Sequence, residues 1–356
     1  MAKHLRSVSG QITKYDIPNV MDAIVIASCG TGASSGDANV LELQNRPTPK
    51  IGPEEVLIRV AASGVNRGDI LQRKGFYPPP PGIVEDIPGL EVAGEVVACG
   101  ARATRWRPGD LVMALVAGGG YARYCAVNES HCLPVPLSMD LTDAGGVMET
   151  YATVWSNLFD RGWVAEHDWA LVHGGTSGIG AAAIGLCNAF GVNIMVTCAS
   201  TAKCEAARSL GADFAVNYNQ DDFVESAKIA TKGRGVDAVL DMVGGDYIPR
   251  NLECLANGGR HVSIAVQRGV SVDVNFLAIM QRRLTLTGST LRSRSDAFKT
   301  SLIMSMEREV WPLFLSGELK PVTSASFLAR QAVQAHRMME AGEHVGKIIL
   351  TWDQES

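Results

Sequence analysis

The stretch Val172–Gly180, reading VHGGTSGIG, follows an apolar run and opens the alanine-rich segment AAAIGLCNAF. Laid on the pattern G-x-G-x-x-G, it puts Gly175, Ser177 and Gly180 at the three small-residue positions, with Gly178 and Ile179 between the last two. In such a turn the first position permits a tight reversal, the second lets backbone amides approach a diphosphate, and the third lets helix close on strand. The amides and dipole at the start of the following helix then hold the anion. No Gly-Lys-Ser/Thr follows, so the turn is not a P-loop. Chains that prefer NAD end their second strand with Asp or Glu, which hydrogen-bonds the ribose. Here the run NIMVTC exits into Ala199, Ser200, Thr201, Ala202 and Lys203. A carboxylate there would repel a 2′-phosphate, whereas the Ser200 hydroxyl and Lys203 ammonium attract one. Tyr218, in VNYN, adds a phenolic hydrogen bond, and the expected cofactor is NADPH. The plainer reading of Lys203 is an exposed helix lysine.

A diphosphate turn needs a sheet behind it. From Glu149 onward, helical segments alternate with six short apolar runs, WALVH, NIMVTC, FAVNY, DAVLDMV, GRHVSIA and LTLTGST. Each parallel step needs a crossover, so this rhythm predicts an α/β, doubly wound Rossmann-type parallel sheet. Between about Ala23 and Pro136 the pattern is different: short β segments broken by glycine, as in EVLIRVAASGVN and GLEVAGEVVACG, predict an antiparallel, barrel-like β domain. After Thr290 an amphipathic stretch, Asp296 to Leu315, leads to GKIILTW, a strand expected to return to the first domain.

The chain of 356 residues suits two domains, and its formal charge of −5 has acids and bases interspersed. That leaves no basic footprint for nucleic acid and favours a small-molecule partner. Eight cysteines without a Cys-x-x-Cys pair argue against a disulfide framework or a four-thiolate zinc lobe, and fit reduced thiols in a cytoplasm. Residues 1–20 lack the apolar core of a signal peptide and read as an extension, and no run reaches membrane-spanning length.

The motifs VNRGDILQRKGFYPPPPG, GLEVAGEVV, TLRSR and GKIIL, in that order, resemble the medium-chain dehydrogenase/reductases. The resemblance is to the zinc-independent quinone oxidoreductase branch that includes zeta-crystallin, and within it to the tumour-suppressor-induced subgroup. It implies a GroES-like β-barrel catalytic domain over residues 21–148, a Rossmann NADPH-binding domain over 149–290, and a return to the catalytic domain over 291–356. Zinc-dependent relatives would carry cysteine and histidine where this chain has Asn66 and Leu90, and the lone carboxylate Glu91 cannot assemble a site that needs three protein ligands. Without a Lewis acid, alcohol oxidation is disfavoured and an acceptor that is already electrophilic, such as a quinone, is expected. The resemblance sets Asn66 and Tyr77 beside the nicotinamide, with turn-stabilising and loop-anchoring roles as their plainer readings. It also points Thr153 and Lys347 toward cofactor, with Tyr151 as a neighbour, and Leu291 and Arg292, which follow the last of the six runs, are expected to approach the nicotinamide side. Val243, Gly245, Ser263 and Ala265 fall at strand ends, where ligands bind in open α/β sheets. Asp69 reads as the cap of the helix ILQRKG.

Two other functions fit the same motifs. A reductase of α,β-unsaturated carbonyls or enoyl thioesters would need a positioned acid, for which Tyr77 and Tyr151 are the candidates. A low-turnover NADPH-binding sensor would need none. A short-chain dehydrogenase is excluded, because no tyrosine here has lysine four positions later. By family a homodimer is expected, formed by edge pairing of LTLTGST.

Overall fold

The computed structural model describes residues 5–6, 12–13, 16–27 and 36–352. Most of the extension expected over residues 1–20 lies outside the described residues, as does Cys29. The chain divides into two compact units, one of Met1–Glu149, Arg292–Leu315 and Thr323–Ser356, the other of Thr150–Leu291 and Ser316–Val322.

The first unit is built on a nine-stranded sheet whose inner pair is Glu55–Val65 against Glu91–Cys99, antiparallel. Alternation along Glu55–Val65 sends Val56, Ile58 and Val60 into one core with Val92, Val96 and Val112, while Leu57 joins Val97 and Ala98 in another. That is the period of two expected when both faces of a strand are covered. The strand Lys347–Thr351 pairs antiparallel with Glu55–Val65, placing Ile348 opposite Val65. Its other neighbour, Thr323–Leu328, runs parallel to it. This departs from an all-antiparallel barrel because the helix Ala332–Ala341 joins the two strands as a crossover.

The helix Arg67–Arg73 starts one turn earlier than its apolar pattern suggests. Its N-cap is Asn66, and Asp69 is the third helical residue, accepting the Asn66 N–H at 2.8 Å. The cap expected at Asp69 is therefore a reciprocal capping box centred on Asn66.

The second unit is a six-stranded parallel sheet in the order Phe214–Asn217, Asn193–Cys198, Trp169–His173, Val236–Asp241, Leu255–Ser263, Thr285–Gly288. In chain order that is 3-2-1-4-5-6, the doubly wound arrangement whose ligand crevice lies at the carboxyl ends beside the first strand. Its core includes Leu171, Met195, Val216 and Val239 under Phe223 and Tyr247. The Phe223 ring stacks on Tyr247 at 5.2 Å and meets the His173 ring edge-on at 5.1 Å, with the Arg250 guanidinium 4.1 Å above it. Replacing Phe223 with alanine should lower stability measured in urea by about 3–5 kcal/mol, the usual cost of an aromatic cavity. A loss below 1 kcal/mol would mean that this cluster does not hold the sheet's face together.

Candidate functional site

In the second unit nearly every residue expected to meet cofactor stands at the carboxyl edge of one sheet. The turn after Trp169–His173 is drawn in by the Thr197 carbonyl, which accepts from the amides of Gly174 and Gly175 at 3.1 and 2.9 Å. A β-carbon on Gly175 would press on the Val196 side chain, and one on Gly180 would strike the backbone of Gly174 and Gly175. Ser177 is the N-cap of the helix Gly178–Ala189, its hydroxyl accepting from the Gly180 amide at 3.0 Å. The serine at the second fingerprint position thus takes over one first-turn amide, and the N–H groups of Gly178 and Ile179 remain outside the helical ladder.

Two loops beyond the turn are stitched together. Ser200 caps the helix Thr201–Ser209 by accepting from the Lys203 amide at 3.3 Å. The Tyr218 amide bonds the Cys198 carbonyl at 3.1 Å, and Asn219 reaches the Ala199 carbonyl at 2.7 Å. Ser200, Lys203 and the exposed Tyr218 thereby belong to one corner of the sheet, where a phosphate could be met by a hydroxyl, an ammonium and a phenol. Farther along the edge, the Val243 amide is held by Asp241 at 2.7 Å, and Gly245 (φ +55°) bonds the Gly269 carbonyl. The Ser263 carbonyl accepts from Ser289, Ala265 follows it half-buried, and Leu291 is buried. Thr153 is tied to this edge through Asn157: its carbonyl accepts from Asn157 Nδ2, and Asn157 Oδ1 accepts from the Ser289 hydroxyl at 2.6 Å. Tyr151 is enclosed, its hydroxyl 3.4 Å from the Lys320 carbonyl, and burial pushes that hydroxyl up from its ordinary range. A role as an acid offered to an acceptor does not fit this placement.

The first unit contains a different kind of site, a buried ionic cluster. Lys347 does not point out toward a ligand. Its ammonium lies 2.7 Å from Glu91 Oε1, 2.7 Å from Asn66 Oδ1 and 3.1 Å from the Val65 carbonyl, so its three N–H donors have three acceptors. Asn66 completes a triangle by donating from Nδ2 to Glu91 Oε1 at 2.9 Å. Glu91 Oε2 accepts the Glu149 amide at 3.0 Å. Gly64 makes room for this, since a β-carbon there would overlap the Glu91 carboxylate.

Asp69 is the second saturated carboxylate. It accepts from the Asn66 and Gly89 amides, each at 2.8 Å, and from the Tyr121 hydroxyl at 3.2 Å. Burial nevertheless raises it to about 6. Behind Tyr121 the chain of bonds has a fixed direction. Arg73 can only donate, so His336 Nδ1, 3.1 Å away, accepts, and the ring proton sits on Nε2, 3.2 Å from Tyr121. Burial first, then the Arg73 charge, lowers His336 to about 3, which keeps it neutral.

Tyr77 is half-buried beside these groups. The Arg292 guanidinium lies 5.2 Å from its ring centre and donates to the Tyr77 and Ala117 carbonyls and to Gln72 Oε1. Burial, then the nearby Glu149, pushes the Tyr77 hydroxyl up to about 12. Two residues the motifs did not single out complete the cluster: Glu149, partly exposed, and Lys299, buried on the helix Asp296–Glu309. Neither carries a local signature, since each matters only through groups brought to it by folding.

Zinc does not fit this donor set. Asn66 and Leu90 supply an amide and an aliphatic chain, the Glu91 carboxylate is engaged by three donors, and no group of three or more His, Cys, Asp or Glu among the described residues could hold a metal ion.

Two family models match the chain, alcohol dehydrogenase GroES-like domain over residues 52–159 and zinc-binding dehydrogenase over residues 178–307. Among solved structures it is similar to a quinone oxidoreductase of Pseudomonas syringae pv. Tomato (27% identity, 93% of this chain and 99% of that one, TM-score 0.81). It is similar also to a mycobacterial protein complexed with NADPH (26%, 93% and 100%, 0.82) and to the CurK enoyl reductase (25%, 94% and 100%, 0.82). The chain spans less than a fifth of the length of the curated Mycobacterium polyketide synthases that it matches at 30% identity.

Removing one partner of a buried pair strands the other charge. Lys347→Met should therefore cost about 3–5 kcal/mol, and Glu91→Leu in the same chain should restore part of the loss. Strictly additive losses in urea unfolding would show that the two side chains are not coupled.

Proposed function

The chain belongs to the medium-chain dehydrogenase/reductase superfamily, and from that premise we propose that it is an NADPH-dependent reductase that delivers hydride to a quinone without a catalytic metal. The observation that carries this reading is the Lys347 ammonium seated between Asn66 and Glu91; the family resemblance sets a metal-binding cysteine of zinc-dependent relatives near Asn66. An ammonium has no vacant orbital and all three of its N–H groups are engaged, so nothing there can bind an alkoxide as a metal does. An acceptor that is already electrophilic needs no such centre.

NADPH, when bound, supplies the hydride. The residues fitted to hold it are the amides after Ser177, with the Ser200, Lys203 and Tyr218 corner toward a 2′-phosphate. In the first unit, Tyr77 offers a half-buried ring and an O–H donor beside the acceptor, while Asn66 acts by fixing Lys347. A second reading, reduction of conjugated carbonyls or enoyl thioesters, is supported by the similarity to an enoyl reductase and to polyketide synthases. We also propose a homodimer built on the edge strand Thr285–Gly288. Its Leu286 and the adjacent Phe276, Leu277 and Met280 are exposed.

The decisive experiment is turnover with a quinone panel and an enone panel, each with NADPH and NADH. NADPH oxidation by quinones should predominate, and a chelator should leave it intact. Lys203→Ala should raise KM for NADPH about tenfold or more, as expected for losing a charge-assisted phosphate contact, and leave the weak NADH rate unchanged. Preference for NADH, or activity lost to a chelator and restored by zinc, would refute the proposal.

A further inference from the structure

The first unit gathers three carboxyl groups around one ammonium. Glu91 and Asp69 each take three hydrogen bonds, and Lys347 is committed to Glu91. Glu149 differs. It sits in the first turn of the helix Met148–Val154, and among the described residues its carboxyl has neither a hydrogen bond nor an ion pair, although its own amide is tied to Glu91. It keeps partial access to solvent. We infer that Glu149 stands as a neutral carboxylic acid in this cluster and donates the proton that completes reduction of the acceptor, an assignment that rests on the reductase reading above.

The surroundings of Glu149 favour the acid form. Facing it are Glu91 from Glu91–Cys99, Asp69 from the helix Arg67–Arg73, Lys347 from the last strand, Lys299 from the helix Asp296–Glu309, and Tyr77 and Arg292. Burial, followed by the negative charge of Glu91, pushes Glu149 up to about 8, against the pull of Lys347 and Lys299. Tyr77, at about 12, is the weaker acid of the two by about four decades. Glu149 is thus the group that can give up a proton near neutral pH.

Lys299 adds an independent observation. Its residue is only 6% exposed, and the negative charges acting on its ammonium are those of Asp296 and then Glu149. A carboxylate formed at Glu149 would add to the attraction that Asp296 already exerts on this ammonium. The step balances as follows. Hydride adds to the acceptor and leaves its reduced anion, the O–H bond of Glu149 breaks, the proton passes to the anion's oxygen or α-carbon, and the bonding pair stays on the carboxylate. Solvent returns a proton through the exposed side.

The test combines Glu149→Gln with Glu149→Asp. Infrared difference spectra of the wild type without NADPH should show a protonated carboxyl band at pH 7 that titrates near pH 8, and Glu149→Gln should lack it. Stability should report the same proton. A carboxyl whose folded value is raised from 4.5 to about 8 contributes stability that is present below 4.5 and lost as pH rises through 8. Relative to Glu149→Gln, the wild type should lose stability across that window. Enone turnover by the wild type should fall above pH 8. Glu149→Gln should be slower by about 10²-fold or more and lack that limb, whereas Glu149→Asp should restore it, with NADPH affinity unchanged in both. A wild-type reductase without the titrating band overturns the inference alone. A chain that shows the band but reduces neither acceptor class overturns the reductase reading and the donor role with it.

Discussion

The buried pair between Lys347 and Glu91 is the constraint that organises the first unit. Taking two ions out of water costs several kcal/mol for each, and their attraction offsets this only when the remaining donors and acceptors are also engaged. Here they are. Asn66 and the Val65 carbonyl complete the ammonium, while Asn66 and the Glu149 amide complete the carboxylate. The geometry demands a glycine at position 64 and the last strand, Lys347–Thr351, beside Glu55–Val65. Breaking the pair therefore also loosens the point where the chain's final strand joins the sheet.

A second line of bonds holds the same asparagine from its backbone side. Arg73, His336, Tyr121 and Asp69 form a sequence in which each group donates to the next, ending at a carboxylate that caps Asn66. The direction is set at one end by a guanidinium that cannot accept and at the other by a carboxylate that accepts three bonds. Asn66 is thus fixed through both its amide nitrogen and its side chain, which leaves one orientation for the group that positions Lys347. The second unit has a counterpart behind its glycine turn, where His173 bonds Thr197 at 2.9 Å and Asn251 at 2.7 Å. Because Asn251 presents Oδ1, the His173 proton lies on Nε2, and the ring can accept from Thr197, whose backbone carbonyl holds the turn.

How much of this was legible in the sequence depended on the range of the interaction. The six runs from WALVH to LTLTGST are the six strands of the parallel sheet, because a short apolar run between helices has few alternatives in an α/β unit. The glycine turn and the Ser200 and Lys203 exit were likewise local, and the turn folds as a diphosphate-type reversal for the steric reasons the motif encodes. Lys347 was different. GKIIL shows a lysine at the head of a strand, but its partner Asn66 is 281 residues away, so the ammonium's direction was invisible. Asp69 was legible as a capping residue but misplaced by three positions, since a capping box carries two polar residues and the apolar pattern began after both. Glu149 had no signature, because its state follows from Glu91, Lys347 and Lys299, each from a different element.

The full commitment of the Lys347 ammonium also limits which chemistry the cluster can assist. A divalent ion stabilises a developing oxyanion by direct coordination, worth several kcal/mol, whereas Lys347 has no donor left to give. Stabilisation of charge on an acceptor would fall to single hydrogen-bond donors, each worth roughly 3–4 kcal/mol when preorganised in a site that excludes water. A single donor of that size does not equal direct coordination of a localised alkoxide by a metal. It suffices when the acceptor spreads the incoming charge over its own conjugated system and a nearby acid removes it. The proposed preference for quinones and conjugated carbonyls is thus a consequence of the same buried pair that holds the last strand in place.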